Sequence, residues 1–310
     1  MNNPAATVDD RQIAAKHRAM WASGDYPKLA AELVAPLGPV LVDAVGVGSG
    51  DCVLDVAAGT GNAAIPAAQT GASVVASDLC PELLEHGRVL AAERGVELDW
   101  REANAHALPF SENEFDVVMS CIGVMFAPFH QQAADELVRV TKLGGRIGLI
   151  NWTPEGHIGQ LFVAMKPYMP APPPGAQPPP LWGQEDHVRA LLGDRVTDVV
   201  TERRALTVDH FPDGAAFRDY FKAVYGPTIA AYRNIEGDAD RVAALDADIA
   251  RIGDGFLAGG SSMEWEYLLL TARKALTRCR HARRRAAPAD PERRRPGCAA
   301  ALGATAGSRV

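Results

Sequence analysis

Two hydrophobic rhythms divide the chain. In residues 11–45 the apolar side chains Ile13, Met20, Trp21, Leu29, Leu33, Leu37, Val40, Leu41 and Val45 recur at helical spacing, broken by the turn Ser23-Gly24-Asp25-Tyr26-Pro27. From Asp51 short apolar runs alternate with helical segments, the pattern of a mostly parallel sheet with helices on its faces. Strands are predicted over residues 52–56, 73–77, 115–120 and 146–152, with a fifth over 96–101. Between them, a helix over 81–94 opens with Pro81 at its first position and stops at Gly95. Another over 131–142 places Ala134, Leu137, Val138 and Thr141 on one face and stops at Gly144-Gly145. The helix after Gly61 contains Pro66, so it either starts late enough to hold Pro66 near its first turn or bends there.

Beyond Trp152 this alternation is lost. Residues 167–180 hold eight prolines in fourteen positions and read as a stiff extended lid or connector. Helices follow over 215–233, broken at Gly226-Pro227, and over 239–257, with strands over 196–208 and 263–273. With 310 residues, 47% of them hydrophobic, the chain has ample material for a buried core.

The net charge of −7 is unevenly spread. Residues 276–310 carry nine arginines against Asp290 and Glu292, a net +7, which leaves −14 on the first 275 residues. The acidic body argues against a nucleic-acid surface there, and the basic tail reads as disordered and dispensable. The N-terminus lacks a basic start followed by an apolar stretch, and no apolar run reaches membrane-spanning length, so a soluble, cytoplasmic protein is expected. The five cysteines are scattered, without a C-x-x-C pair, and predict neither a disulfide framework nor a metal site.

The chemistry concentrates in Val53-Leu54-Asp55-Val56-Ala57-Ala58-Gly59-Thr60-Gly61-Asn62. A strand running through a small-residue turn into a helix lets backbone N–H groups approach a ligand closely. Gly59-x-Gly61-x-x-Ala64 followed by Asp78 also fits a dinucleotide fingerprint. Asp55 separates the two readings, because a carboxylate there suits the ammonium of S-adenosylmethionine and repels a pyrophosphate. Asp78, ending the second strand, can accept from both ribose hydroxyls in either case.

With these segments stand Asp78-Leu79-Cys80-Pro81-Glu82-Leu83-Leu84, the loop Ala103-Asn104-Ala105-His106-Ala107-Leu108-Pro109-Phe110, the strand start Phe115-Asp116-Val117-Val118 and the turn Lys142-Leu143-Gly144-Gly145. In this order and spacing, over residues 14–274, the sequence resembles the class I S-adenosylmethionine-dependent methyltransferases. It is similar to the branch that includes the ubiquinone and menaquinone biosynthesis enzymes and many bacterial small-molecule methyltransferases.

The resemblance implies a Rossmann-like α/β fold: a seven-stranded mostly parallel sheet with helices on both faces, an N-terminal helical cap and an insertion after the fifth strand. The expected organisation is a cap over 1–50, a cofactor-binding core over 51–152, an acceptor-side insertion with the last strands over 153–275, and the tail over 276–310. It also implies that Gly59 and Gly61 line the methionine end, Asp78 holds the ribose and Asn104-Ala105 meet the adenine edge, and Asp55, Ala57, Thr60, Leu79 and Ser120 complete the expected cofactor-binding set. Two departures stand out: Asn104 where the family usually has Asp, and Cys80 where it often has a Ser capping the second helix.

No catalytic base is identified. His130 and His157 follow the fourth and fifth strands but read as packing residues, and Trp21 and Tyr26 belong equally to a cap or a core. The motifs of nucleobase and arginine methyltransferases are absent, so a small organic acceptor is expected, with Trp152, Phe162, Met165, Tyr168, Trp182, Tyr220 and Tyr225 as material for its pocket. An NAD(P)-dependent oxidoreductase on the same fold and a non-catalytic S-adenosylmethionine-binding protein stay open as alternatives.

Overall fold

The computed structural model describes residues 8–257, 260 and 262–276. Its strands are β1 (Cys52–Val56), β2 (Ser73–Asp78), β3 (Asp99–Glu102), β4 (Phe115–Cys121), β5 (Thr141–Trp152), β6 (Val196–Val208) and β7 (Met263–Lys274). They form one seven-stranded sheet in the order β3-β2-β1-β4-β5-β7-β6. The first five strands are parallel, and β7 lies antiparallel between β5 and β6. This is the Rossmann-like, mostly parallel sheet expected, with the last two strands where the pattern after Trp152 placed them.

The apolar runs in the central strands follow from burial on both faces. Val53 and Leu54 of β1, Val117, Val118 and Met119 of β4, and Ile147, Leu149 and Ile150 of β5 have no exposed surface. Strand order reverses between β1 and β4, which opens a crevice at their carboxyl ends.

The helices that cover the sheet differ from expectation mainly at their ends. The N-terminal stretch divides into α1 (Val8–Trp21), α2 (Tyr26–Leu29), a π-helical turn (Ala30–Val34) and α3 (Leu37–Val45). Then come α4 (Ala64–Gln69), α5 (Pro81–Glu93) and α6 (His130–Val140). In α4, Pro66 falls in the first turn, where its missing N–H breaks no intrahelical bond. Helix α6 ends two residues before the predicted Lys142, because Thr141 and Lys142 turn extended into β5 and Lys142 Nζ donates to both oxygens of Asp116 at 2.8 Å.

After β5 come α7 (His157–Met165), α8 (Glu185–Leu192), α9 (Gly214–Val224), α10 (Gly226–Ile235) and α11 (Ala239–Leu257). The proline-rich segment is flanked by the 3-10 turns Lys166–Tyr168 and Pro179–Gly183, and Trp182 anchors its end in the core. Among the described residues no helix is long and apolar enough to cross a membrane. Of the tail expected over 276–310, only Leu276 lies within the described residues.

Candidate active site

Strand β1 delivers the chain into a tight loop at the crevice. Ala57 and Gly59 take left-handed backbone angles, φ 55° and 56°. For Ala57 this is a strained conformation, of the kind that clusters at functional sites. Its neighbour Gly123 is required by close approach, since a Cβ there would sit 2.3 Å from the Ala57 carbonyl oxygen. Gly61 is glycine for another reason: a Cβ would meet the Trp100 ring at 2.8 Å, so Trp100 packs behind the loop.

A cavity of about 440 Å³ opens where β1, β2 and β4 end, within the range of ordinary small-molecule sites. Ala57, Gly59, Asp78, Leu79, Asn104 and Ala105 line it, so six of the ten expected cofactor residues meet in one place. The other four do not line it. Gly61 is turned to Trp100, and Thr60 is buried in the loop. The Ser120 hydroxyl is taken up inside the fold, donating to Val56 O at 2.6 Å and accepting from Val124 N at 2.8 Å. Asp55 lies beneath the loop.

The two carboxylates differ in their surroundings. Asp78 accepts from Gly59 N and Cys80 N at 2.8 Å, one on each oxygen, which leaves a lone pair on each for a ligand. Burial pushes its carboxyl above the usual range, against the pull of the Cys80, Gly59 and Leu79 amides. Asp55 is 1% exposed, and neither of its oxygens has a hydrogen-bond partner of normal geometry. Burial pushes it up to about 8, the Ala64 amide pulls it down, and the Asp78 charge pushes it up again. An orphaned buried carboxyl of this kind fits the ammonium of S-adenosylmethionine, and the free lone pairs of Asp78 fit two ribose hydroxyls.

Asn104 is occupied locally: its Oδ1 accepts from His106 N at 3.0 Å and its carbonyl from Ala107 N at 2.9 Å, which folds the adenine-side loop. Cys80 holds the N-cap position of α5 without a side-chain cap hydrogen bond, and its thiol donates instead to Glu82 at 3.2 Å.

The cap closes the cavity. Ile13, Ala14, His17 and Trp21 of α1 line it, and Arg18 of α1 pairs with Glu82 of α5 at 2.8 Å. Tyr26 lies against the glycine loop, its ring 3.1 Å from where a Cβ on Gly59 would stand. Trp21 stands edge-on to Tyr26, Phe126 and Tyr225, with centroids 5.7, 4.6 and 5.9 Å away.

Behind these aromatics lies a second, smaller chamber of about 20 Å³ that shares Tyr26, Ile122 and Phe126 with the first cavity. Trp152, Phe221, Tyr225 and Trp265 supply much of its wall. At the junction Ile122 has φ 52°, a rare strained state for a β-branched residue.

Of the residues expected to shape an acceptor pocket, Trp152 and Tyr225 line this chamber, and Phe162 packs against Phe126 and Tyr225. Met165, Tyr168, Trp182 and Tyr220 lie elsewhere; the Tyr220 hydroxyl, for example, donates to Glu32 at 2.8 Å. Phe126, Phe221 and Trp265 were not singled out by sequence reasoning, because no spacing links residues that meet only across the folded sheet. The Ile122-Gly123 pair had a signal, since it follows the fourth strand directly. His130 is buried, its Nδ1 2.9 Å from His187 Nε2, and His157 is packed among Phe217, Phe256 and Trp265. Burial lowers both to about 3, so they are neutral packing residues.

Comparison with known proteins fits this geometry. Residues 54–149 match a methyltransferase-domain family. An uncharacterized protein of Mycobacterium tuberculosis is 56% identical over 268 residues, 86% of this chain and 97% of its own length. The ubiquinone/menaquinone biosynthesis C-methyltransferase UbiE of Zymomonas mobilis is 42% identical over 95 residues, 30% of this chain and 39% of that protein. The YcgJ protein from Bacillus subtilis shares the fold, with a TM-score of 0.51 at 19% identity, covering 77% of this chain and 97% of that one. The chain belongs to one family with the mycobacterial protein, and it is a class I S-adenosylmethionine-dependent methyltransferase.

Proposed function

We propose that this methyltransferase acts on a small, neutral, largely apolar organic acceptor held in the aromatic chamber behind the cofactor cavity. The observation that carries this reading is the chamber wall: none of its ten residues is charged, and it meets the cofactor cavity at Tyr26, Ile122 and Phe126. A carboxylate or phosphate would find no counter-ion there, and an uncompensated charge is costly to desolvate.

When bound, S-adenosylmethionine supplies a methyl group on a sulfonium, already activated for in-line displacement. In this reading Asp55 holds its ammonium, Asp78 the ribose hydroxyls, the Ala57 to Gly59 backbone the methionine end, and Leu79 with Asn104 and Ala105 the adenosine side. Trp21 and Tyr26 exclude water, which strengthens the contacts that orient the acceptor. Burial raises the Tyr26 and Tyr225 hydroxyls, so they stay protonated and serve as donors rather than bases. The acceptor therefore brings its own nucleophilic atom.

A chamber of about 20 Å³ is far smaller than any acceptor, so the partition of Trp21, Tyr26, Phe126 and Tyr225 must shift on binding. Quinols, phenols and short polyketide-like compounds, screened beside nucleic acids and proteins for S-adenosylhomocysteine formed, test this. Turnover on neutral ring compounds supports it, and methylation confined to macromolecules overturns it.

A further inference from the structure

The chamber wall contains one polar group that packing alone does not explain. Trp265, on β7, is 1% exposed, yet its indole Nε1 has no hydrogen-bond partner. A buried N–H without an acceptor is destabilising, and nearly all such groups in folded proteins are paired. The ring is enclosed by other aromatics, with Trp152 at 5.8 Å and Phe221 at 5.9 Å between centroids. A phenylalanine would serve that packing without leaving a donor stranded.

We infer that the Trp265 indole N–H is a specificity-determining donor, and that the acceptor offers it an uncharged carbonyl-type oxygen. The inference rests on the chamber being the acceptor site. An indole N–H donates and cannot accept, so its partner must carry a lone pair. Tyr225 adds a second donor in the same wall. The uncharged wall disfavours a carboxylate, and among neutral acceptors the carbonyl oxygen of a ketone, quinone, ester or amide is a better partner for an N–H donor than a hydroxyl or ether oxygen. Trp182 also has an unpartnered Nε1, but it lines neither cavity and packs against His130 at 5.5 Å. Among the described residues, Trp265 alone combines an orphan donor with a ring in the chamber wall.

Two probes of nearly equal shape, 1-tetralone and tetralin, differ by one carbonyl. Their binding to protein saturated with S-adenosylhomocysteine is measured by calorimetry, for the parent and for Trp265→Phe. The parent is expected to prefer 1-tetralone by about two- to tenfold, the contribution of one neutral hydrogen bond. Trp265→Phe should lose that preference, with tetralin binding unchanged. Should the variant not fold, the Trp265 indole N–H resonance, identified by its contacts to the Phe221 ring, should move with 1-tetralone and stay with tetralin. Equal binding of the two probes by the parent, or a preference that survives Trp265→Phe, overturns the inference. Failure of both probes to bind overturns the acceptor-chamber reading itself.

Discussion

The two cavities of this enzyme are built on different principles. The cofactor cavity is walled largely by short segments at the carboxyl ends of neighbouring strands, with the cap helix α1 set against them. The acceptor chamber is made of single large side chains, from Tyr26 near the start to Trp265 near the end of the described chain, that meet only when the sheet is complete. One site is a set of loops whose chemistry is fixed locally. The other is a part of the hydrophobic core that, in the proposed reading, doubles as the acceptor wall, which would tie its specificity to its stability.

The largest effect expected from this contrast is on stability. Phe221 is 1% exposed and lines the chamber, so Phe221→Ala should cost about 3–5 kcal/mol of folding stability while leaving S-adenosylhomocysteine affinity intact in the folded fraction. Denaturant unfolding and calorimetry check both halves. A neutral effect on stability would show that the chamber wall is not core.

On the other side, Asp78→Ala removes charge-assisted hydrogen bonds to the ribose, about 1.5–3 kcal/mol, and should weaken cofactor affinity roughly ten- to a hundredfold. The Gly59 and Cys80 amides also lose their acceptor, so the loop should loosen. Parental affinity in calorimetry would refute the ribose assignment.

A smaller, graded effect comes from Asp55. Its folded value, about 8, lies above the ordinary 3.8, so the uncomplexed protein holds this proton more tightly folded than unfolded. Its contribution to stability is full below about pH 4 and is lost as pH rises through about 8. An ammonium ligand favours the carboxylate instead. S-adenosylhomocysteine affinity should therefore climb by up to about tenfold per pH unit and level off near pH 8, with a proton released on binding. Asp55→Asn should flatten the profile, and a flat profile in the parent would remove Asp55 from the ammonium site.

The smallest effect concerns Asn104. Its Oδ1 accepts from the His106 amide, so Asn104→Asp should strengthen that turn and change cofactor affinity by less than about threefold. A larger gain would mean that this side chain contacts the ligand directly.

The same contrast explains what the sequence reveals. Gly59, Asp78 and Asn104 are readable as cavity residues because they end or closely follow parallel strands beside the strand-order reversal, where a crevice must open. The strands after Trp152 were readable from β-favouring runs and the helix break from Gly226-Pro227. Asp55, Thr60, Gly61 and Ser120 stand near strand ends without lining the cavity, because nearness to a strand end does not say which way a residue faces: the Ser120 hydroxyl donates to the Val56 carbonyl, and Gly61 is turned to the Trp100 ring. The chamber was only partly legible. A large apolar residue looks the same in a sequence whether it fills a core or faces a substrate, and Phe126, Phe221 and Trp265 acquire their role from tertiary contacts alone.

The central claim is that the methyl group is delivered from the cofactor cavity into the aromatic chamber. A crystal structure of the complex with S-adenosylhomocysteine tests it most directly. The account predicts ribose hydroxyls on Asp78, the amino group beside Asp55, and the thioether sulfur against Tyr26, Ile122 and Phe126, facing the chamber. A sulfur turned instead toward the mouth beneath α1, with Tyr26 between it and the chamber, would contradict it.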